Sequence, residues 1–313
     1  MTAVERALER LAPIATADYP LALQTTYRVG GRAAVFASPR TLDDLRLIGS
    51  VAADAALPVL VIGRGSNMLI ADEGFAGIAV SLSELAAEFD IEGTLVRAGG
   101  AAALPVIARR TAGAGLIGFE WAVGVPGSIG GAVRMNAGGH GSDMAACIEE
   151  VELFDLGDGR RGSVPGASLG LRFRGSDLAE GQVVLSATLR LRPGDPAAAE
   201  RDIAEVVRWR REHQPGGQNA GSVFVNPLPG ELAAAELIDR LGLRGLRIGG
   251  AHVSEKHANF IQAEPGARAA DVRAVMEEVR RRVARETGYL LRSEIRLIGF
   301  EDVDAEQTVG VTW

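Results

Sequence analysis

The sequence predicts an α+β protein of roughly two domains. Three observations carry this. The chain opens on a strand–helix–strand pattern, its middle reads as antiparallel strands, and its 313 residues are about twice a typical domain of ~150. The opening helix is expected over 41–57. Thr41 can cap it, Asp43 and Asp44 suit its first turn, and Leu45, Ile48, Val51 and Ala52 recur at helical spacing. Ala33–Ala37 before it and Val59–Ile62 after it read as strands. A second helix is expected over Ala102–Ala112. Val151–Leu156, the turn Gly157-Asp158-Gly159, a polar return and Val183–Leu191 supply the antiparallel strands. Pro193-Gly194-Asp195-Pro196 marks a boundary, and an arginine-rich helix, Ala197–His213, follows it. A third region contains Leu237–Leu241 and a helix over Asp271–Thr287. There Val272, Val275, Met276, Val279 and Val283 form one apolar stripe, closed by Gly288. Ile295–Phe300 reads as a closing strand.

Composition narrows the function. With 47% apolar and 23% charged residues the chain is globular rather than disordered. The single Cys147 excludes an internal disulfide framework and a thiolate metal cluster. His140, His213 and His252 have no metal-site spacing, so no metal is expected. A net charge of −7 argues against a nucleic-acid partner, although a local arginine cluster can still take an anionic small molecule. No apolar run is long enough for a membrane span. Met1–Leu11 carries both charge signs and does not read as a secretory signal, so a cytoplasmic location is expected.

Forty residues are glycine, near twice the average share of about 7%, and they are clustered. Gly63, Arg64, Gly65, Ser66 and Asn67 follow a strand directly. They suit either a tight turn or a nest of backbone N–H groups for a phosphate. This cluster is not G-x-G-x-x-G, because its third glycine is missing, and no G-K-[ST] of a P-loop occurs in the sequence. The second cluster runs Gly124, Val125, Pro126, Gly127, Ser128, Ile129, Gly130, Gly131, Ala132, then Met135, Asn136, Ala137, Gly138, Gly139, His140, Gly141. Backbone so poor in side chains is expected to form an ordered loop lying against an extended ligand such as a diphosphate-bearing cofactor.

Gly63–Leu69 with Met68, Gly118-Phe119-Glu120, the second glycine cluster, Ala220–Pro227, Leu237-Ile238-Asp239, Gly242–Gly245, Lys256–Phe260 and Ser293–Arg296 occur in one order. Together they resemble the UDP-N-acetylenolpyruvoylglucosamine reductases (UDP-N-acetylmuramate dehydrogenases) over Thr25–Phe300. The resemblance implies a vanillyl-alcohol-oxidase (PCMH-type) FAD-binding fold of two subdomains, 1–82 and 83–195. A C-terminal α+β substrate-binding domain, 196–300, and a tail, 301–313, would follow. It implies FAD bound by Gly63, Arg64, Gly65, Ser66, Asn67, Met68, Gly124, Val125, Pro126, Gly127, Ser128, Gly130, Gly131, Ala132 and Asn136. It also implies NADPH as reductant and UDP-N-acetylglucosamine-enolpyruvate as substrate. The resemblance implies that hydride would pass from NADPH to FAD, then from flavin N5 to the enol ether, leaving carbanion character beside a carboxylate that must be stabilised and protonated. A monomer is expected over an oligomer.

In the same way Arg174, Ser222 and Glu294 match the family's catalytic groups: a carboxylate clamp, the proton donor and a carboxyl assisting the carbanion. A guanidinium pairs bidentately with carboxylate. Arg172 is the neighbouring candidate, because strand alternation puts both arginines on one side; the following Gly175-Ser176 favours Arg174. Phe173 stands where the family usually has Tyr. Ser222 suits a turn as well as an acid, and alternation leaves the face of Glu294 open. Asn226, Lys256 and His257 match substrate-binding positions. Val225 stands where many members carry Lys, and Arg211, Arg244 and Arg247 are candidate replacements. The chain resembles the shorter subtype, without an inserted loop bearing a substrate-binding Tyr. Two rivals stand beside this reading: a same-fold flavin oxidoreductase with another substrate, which should lack the Ser222 and Glu294 motifs present here, and a silent nucleotide-sugar-binding paralogue, which the changes at Phe173 and Val225 favour.

Overall fold

A computed structural model describes residues 1–300, so the expected tail, 301–313, lies outside the described residues. The chain divides into two compact units, each assembled from separate stretches. The first holds 1–18, 34–64 and 76–210; the second holds 19–33, 65–75 and the chain from Arg211 on.

The first unit has two cores. Helices α1 (Ala3–Arg10) and α2 (Leu42–Ala55) share one with a four-stranded sheet, ordered Ala15–Pro20, Arg32–Ala37, Phe75–Ser81, Val59–Ile62. Its last two strands are parallel, Val59 opposite Ile78. Helix α2 starts where its cap dictates. Thr41 Oγ1 accepts from Asp44 N at 3.1 Å, and the Asp44 carboxylate accepts from Thr41 N at 2.9 Å. The stripe Leu45, Ile48, Val51 and Ala52 is buried as its spacing predicts.

The second core lies on a five-stranded antiparallel sheet, ordered Arg161–Pro165, Ile148–Asp155, Gln182–Arg190, Leu95–Gly99, Phe89–Glu92. Helices α3 (Leu104–Gly113), α4 (Ile129–Met135) and α5 (Pro196–His213) feed Leu104, Ile107, Ile129, Val133, Ala199, Ile203 and Val206 into it. One expectation changes here. Pro193 ends a short strand and Pro196 is the first residue of α5, with the Asp195 carboxylate accepting from Ala197 N and Ala198 N at 3.1 and 3.2 Å. The two compact units divide between Arg210 and Arg211. The expected loop Gly124–Gly141 is in part helical, because α4 buries its apolar residues and its glycines permit close approach. A Cβ on Gly130 would lie 3.1 Å from the Gly100 carbonyl oxygen.

The second unit packs α6 (Ala234–Arg240) and α7 (Ala269–Thr287) with a three-stranded antiparallel sheet, ordered Arg247–Ile248, Ala251–Val253, Ile261–Ala263. All five stripe residues of α7 are buried, and Gly288 ends it in the left-handed region at φ 77°. The closing strand is shorter than expected, Arg296–Ile298, and pairs in parallel with Met68–Ile70. Among the described residues no helix is long and apolar enough to cross a membrane.

Candidate active site

The glycine clusters divide between the units. In the first, Gly63 and Arg64 are exposed, and a Cβ on Gly63 would come 2.4 Å from Ser128 Oγ. The first cluster's leading glycine therefore meets the second cluster at Ser128. That second loop is stitched down: Ile129 N donates to Ala102 O at 3.0 Å and Leu104 N to Gly127 O at 3.1 Å. Gly124, Gly127, Ser128 and Ala132 are buried; Val125 and Gly130 are half-buried; Pro126 and Gly131 face out. In the second unit, Gly65 takes φ 55°, where a Cβ would sit 2.1 Å from Gln24 O. Ser66 and Asn67 are half-buried and Met68 is buried. Thr26 N donates to Gly65 O at 3.4 Å.

Arg174 is not on a strand, which corrects the expected alternation. Arg172 and Gly175 exchange both backbone hydrogen bonds, Arg172 N to Gly175 O at 3.0 Å and Gly175 N to Arg172 O at 3.1 Å. Phe173 and Arg174 are thus the two central residues of a tight turn, and Arg174 takes φ 58°, as the second centre of a type II turn must. The turn separates the two candidates. Arg172 folds back, its Nη1 donating to Asp177 Oδ1 at 2.5 Å and to Gly170 O at 3.0 Å. Arg174 is half-buried, lies 5.0 Å over the Phe173 ring and donates to Gly138 O at 3.4 Å. Phe173 keeps the ring surface expected from the family's Tyr and is exposed.

Ser222 and Glu294 lie on adjoining stretches of the second unit. Ser222 bridges Phe260 and Phe224 bridges Ser293. Glu294 N donates to Val223 O at 2.8 Å, so one residue separates the two positions across the pairing. Both are half-buried. The Asn67 loop closes the other side: Asn67 Nδ2 donates to Glu294 O at 3.1 Å and Arg296 N to Asn67 O at 2.9 Å.

Asn226 spends its Oδ1 on Ala234 N at 3.1 Å, beside the start of α6. Exposed Lys256 reaches the Arg211 carbonyl. His257 Nδ1 accepts from Asn259 N at 3.2 Å, which leaves the neutral ring's proton on Nε2. Burial first, then the Arg244 charge, hold His257 below the ordinary histidine pKa, so it is neutral at pH 7. Of the candidate replacements for the missing lysine, Arg244 is tied to Asp239 at 2.5 Å and to Glu255 O at 2.7 Å. Arg247 is tied to Glu264 at 2.8 Å. Arg211 is exposed.

Four residues escaped sequence reasoning: Asn259, Thr26, Tyr27 and Trp121. Asn259, buried, holds Phe224 like a strand partner: Nδ2 donates to Phe224 O at 2.8 Å and Oδ1 accepts from Phe224 N at 3.0 Å. An amide between apolar Ala258 and Phe260 was the available signal. Thr26 Oγ1 and Tyr27 Oη in the second unit, and Trp121 Nε1 in the first, are buried polar atoms without a hydrogen-bond partner among the described residues. Burial pushes the Tyr27 phenol well above its ordinary pKa, so it stays a neutral donor. Such orphans are costly unless a ligand or water completes them. Trp121 immediately precedes the Gly124 loop, and Thr26 adjoins Gly65. Within the first unit, the close approach of Gly63 to Ser128 leaves a backbone surface poor in side chains that fits a polar, diphosphate-bearing group such as FAD. Cys147 fits no such role: burial, then the Asp143 carboxylate, push its thiol up to about 12.

A family model described as the C-terminal domain of UDP-N-acetylenolpyruvoylglucosamine reductase matches residues 213–298, and one described as an FAD binding domain matches 33–162. The reductase from Heliobacterium modesticaldum is 42% identical over 282 residues, 90% of this chain and 89% of that protein. The chain belongs to the UDP-N-acetylenolpyruvoylglucosamine reductase family. The member from Gloeobacter violaceus is 44% identical over 89% of this chain and 94% of its own length. The crystal structure of the Thermus caldophilus enzyme superposes with a TM-score of 0.78 at 34% identity, covering 91% of this chain and 98% of that one. The fold is accordingly that expected from the resemblance: a PCMH-type FAD-binding domain with the family's α+β C-terminal domain.

Proposed function

We propose that the chain is an NADPH-dependent flavoenzyme that reduces UDP-N-acetylglucosamine-enolpyruvate to UDP-N-acetylmuramate for peptidoglycan synthesis. The observation that carries this is the identity of 42–44% to reductases across about nine-tenths of the chain. Cytoplasmic, monomeric action belongs to the same reading. The two cores of the first unit would serve as the FAD-binding subdomains, and the second unit as the substrate-binding domain.

FAD would be held by Gly63–Met68 and by the Gly124–Ala132 segment. When bound it supplies a two-electron hydride carrier, recharged by NADPH. The chain's own groups do the rest. Arg174 clamps the substrate carboxylate and holds the charge that develops beside it. Ser222 Oγ–H gives the proton, and Glu294 orders the carbanion end. Asn226, Lys256 and neutral His257 orient the UDP-sugar, with Arg211 as the cation replacing the lysine absent at Val225. A carboxylate clamp and a positioned acid are together worth several powers of ten in rate.

The test is direct. Purified protein should be yellow with a flavin absorbance band, and NADPH oxidation should depend on the enolpyruvyl substrate. Bound flavin without substrate-dependent turnover would remove the reductase reading and leave the silent paralogue.

A further inference from the structure

We infer that Asn136 is a positioning residue for Arg174 rather than a cofactor ligand; this rests on the proposed role of Arg174. Asn136 ends α4 in the left-handed region at φ 39° and is buried. Its amide is spent inside the protein. Nδ2 donates to Asp143 Oδ2 at 3.0 Å and to Arg172 O at 3.3 Å, and Oδ1 accepts from Ala145 N at 3.0 Å. Arg172 O is the carbonyl that also receives Gly175 N, and so closes the turn that sets Arg174 at φ 58°.

Arg174 is a non-glycine residue in a backbone region that persists only where surroundings impose it. Those surroundings converge from the end of α4. Ser176 Oγ donates to Arg134 O at 2.8 Å on one flank of the turn. Arg174 Nη2 donates to Gly138 O at 3.4 Å, on the hairpin Gly138–Asp143 that Asn136 begins. The amide of Asn136 is therefore the joint between the glycine-bearing helix, the hairpin and the turn. A guanidinium misplaced by about 1 Å loses much of its effect on a reacting carboxylate.

Stopped-flow on the FAD-loaded protein tests this. Asn136→Gly keeps a residue at ease in the left-handed region and deletes the amide. FAD content and flavin reduction by NADPH should stay within about twofold of wild type, while reoxidation by the enolpyruvyl substrate slows about 10- to 100-fold. Added to Arg174→Lys, the change should cost less than about threefold more, because one residue acts through the other. Asn136→Asp combined with Asp143→Asn exchanges donor and acceptor in the 136–143 bond and leaves no amide donor for Arg172 O. It should remain slow, and it carries the test if Asn136→Gly does not fold. Recovery in that double variant, loss of FAD, equal slowing of both half-reactions, an unchanged reoxidation rate or multiplying effects with Arg174→Lys would overturn the inference. Wild-type reoxidation in Arg174→Lys alone would remove the assigned role of Arg174 instead, and the positioning role with it.

Discussion

Ser222 is a weak acid in water, and only placement makes it a proton donor. Its neighbours supply that placement: Val223 and Phe224 are held on one side by Asn259 and on the other by Ser293 and Glu294. Ser222→Ala removes the donor and leaves this pairing intact. Flavin reduction by NADPH should be unchanged, and transfer to the enolpyruvyl group should slow about 10²- to 10⁴-fold. Comparable loss in both half-reactions would take the role from Ser222. At this scale the sequence spoke unevenly. The ordered motifs marked Arg174, Ser222 and Glu294 as chemically important. Spacing alone could not choose between Arg172 and Arg174, and only the following Gly175-Ser176 favoured Arg174, because the two are set apart by a turn rather than a strand. Thr26 and Tyr27 went unread as well, since an orphaned hydroxyl is defined by surroundings and not by spacing.

Helices α2 and α7 were legible because their signals are local: a capping residue and a stripe for α2, a stripe and a closing glycine for α7. Helix α4 was not, because Gly130 and Gly131 are poor helix formers, and the close packing of Gly130 against Gly100 and Val184 is a long-range contact. Two predictions belong to α7. Met276 is buried among the apolar stripe, and Met276→Ala should lower stability by about 2–5 kcal/mol in denaturant unfolding. A loss under about 1 kcal/mol would mean that the core closes over the cavity. Asp271 accepts from Gly250 N at 3.0 Å and Arg268 N at 3.1 Å, and these bonds hold its carboxyl below the usual carboxylate pKa. A folded value below the unfolded one gives stability that is present above the unfolded pKa of about 3.9 and is lost as pH falls through the folded value. Thermal melts taken from pH 6 down to about pH 3 should therefore fall less steeply for Asp271→Asn than for wild type. Parallel slopes would show that the carboxylate is not linked to folding.

The arrangement of the whole molecule was the least legible part. Alternating strands and helices announced an α+β fold, but nothing local says that 19–33 and 65–75 belong with the chain beyond Arg211. Such membership is set by long-range pairing, as between Met68–Ile70 and Arg296–Ile298. Cofactor binding makes a prediction at this scale. FAD binds only the folded protein, so at about 100 times its Kd it should add about 2.7 kcal/mol to stability and raise Tm with concentration. No shift on adding FAD to stripped protein would argue against the cradle.

The pairing of Asn67 with Glu294 joins positions 227 residues apart along the chain. During synthesis, the stretches around Tyr27 and Leu69 must wait for the segment around Ile295 and Leu297 before their apolar side chains are covered. A ribosome that stops short leaves them bare, and the region after Arg211 expressed alone lacks part of its own interior. Shortened forms of this protein should therefore collect in aggregates and call on chaperones, while the entire chain shelters the same residues.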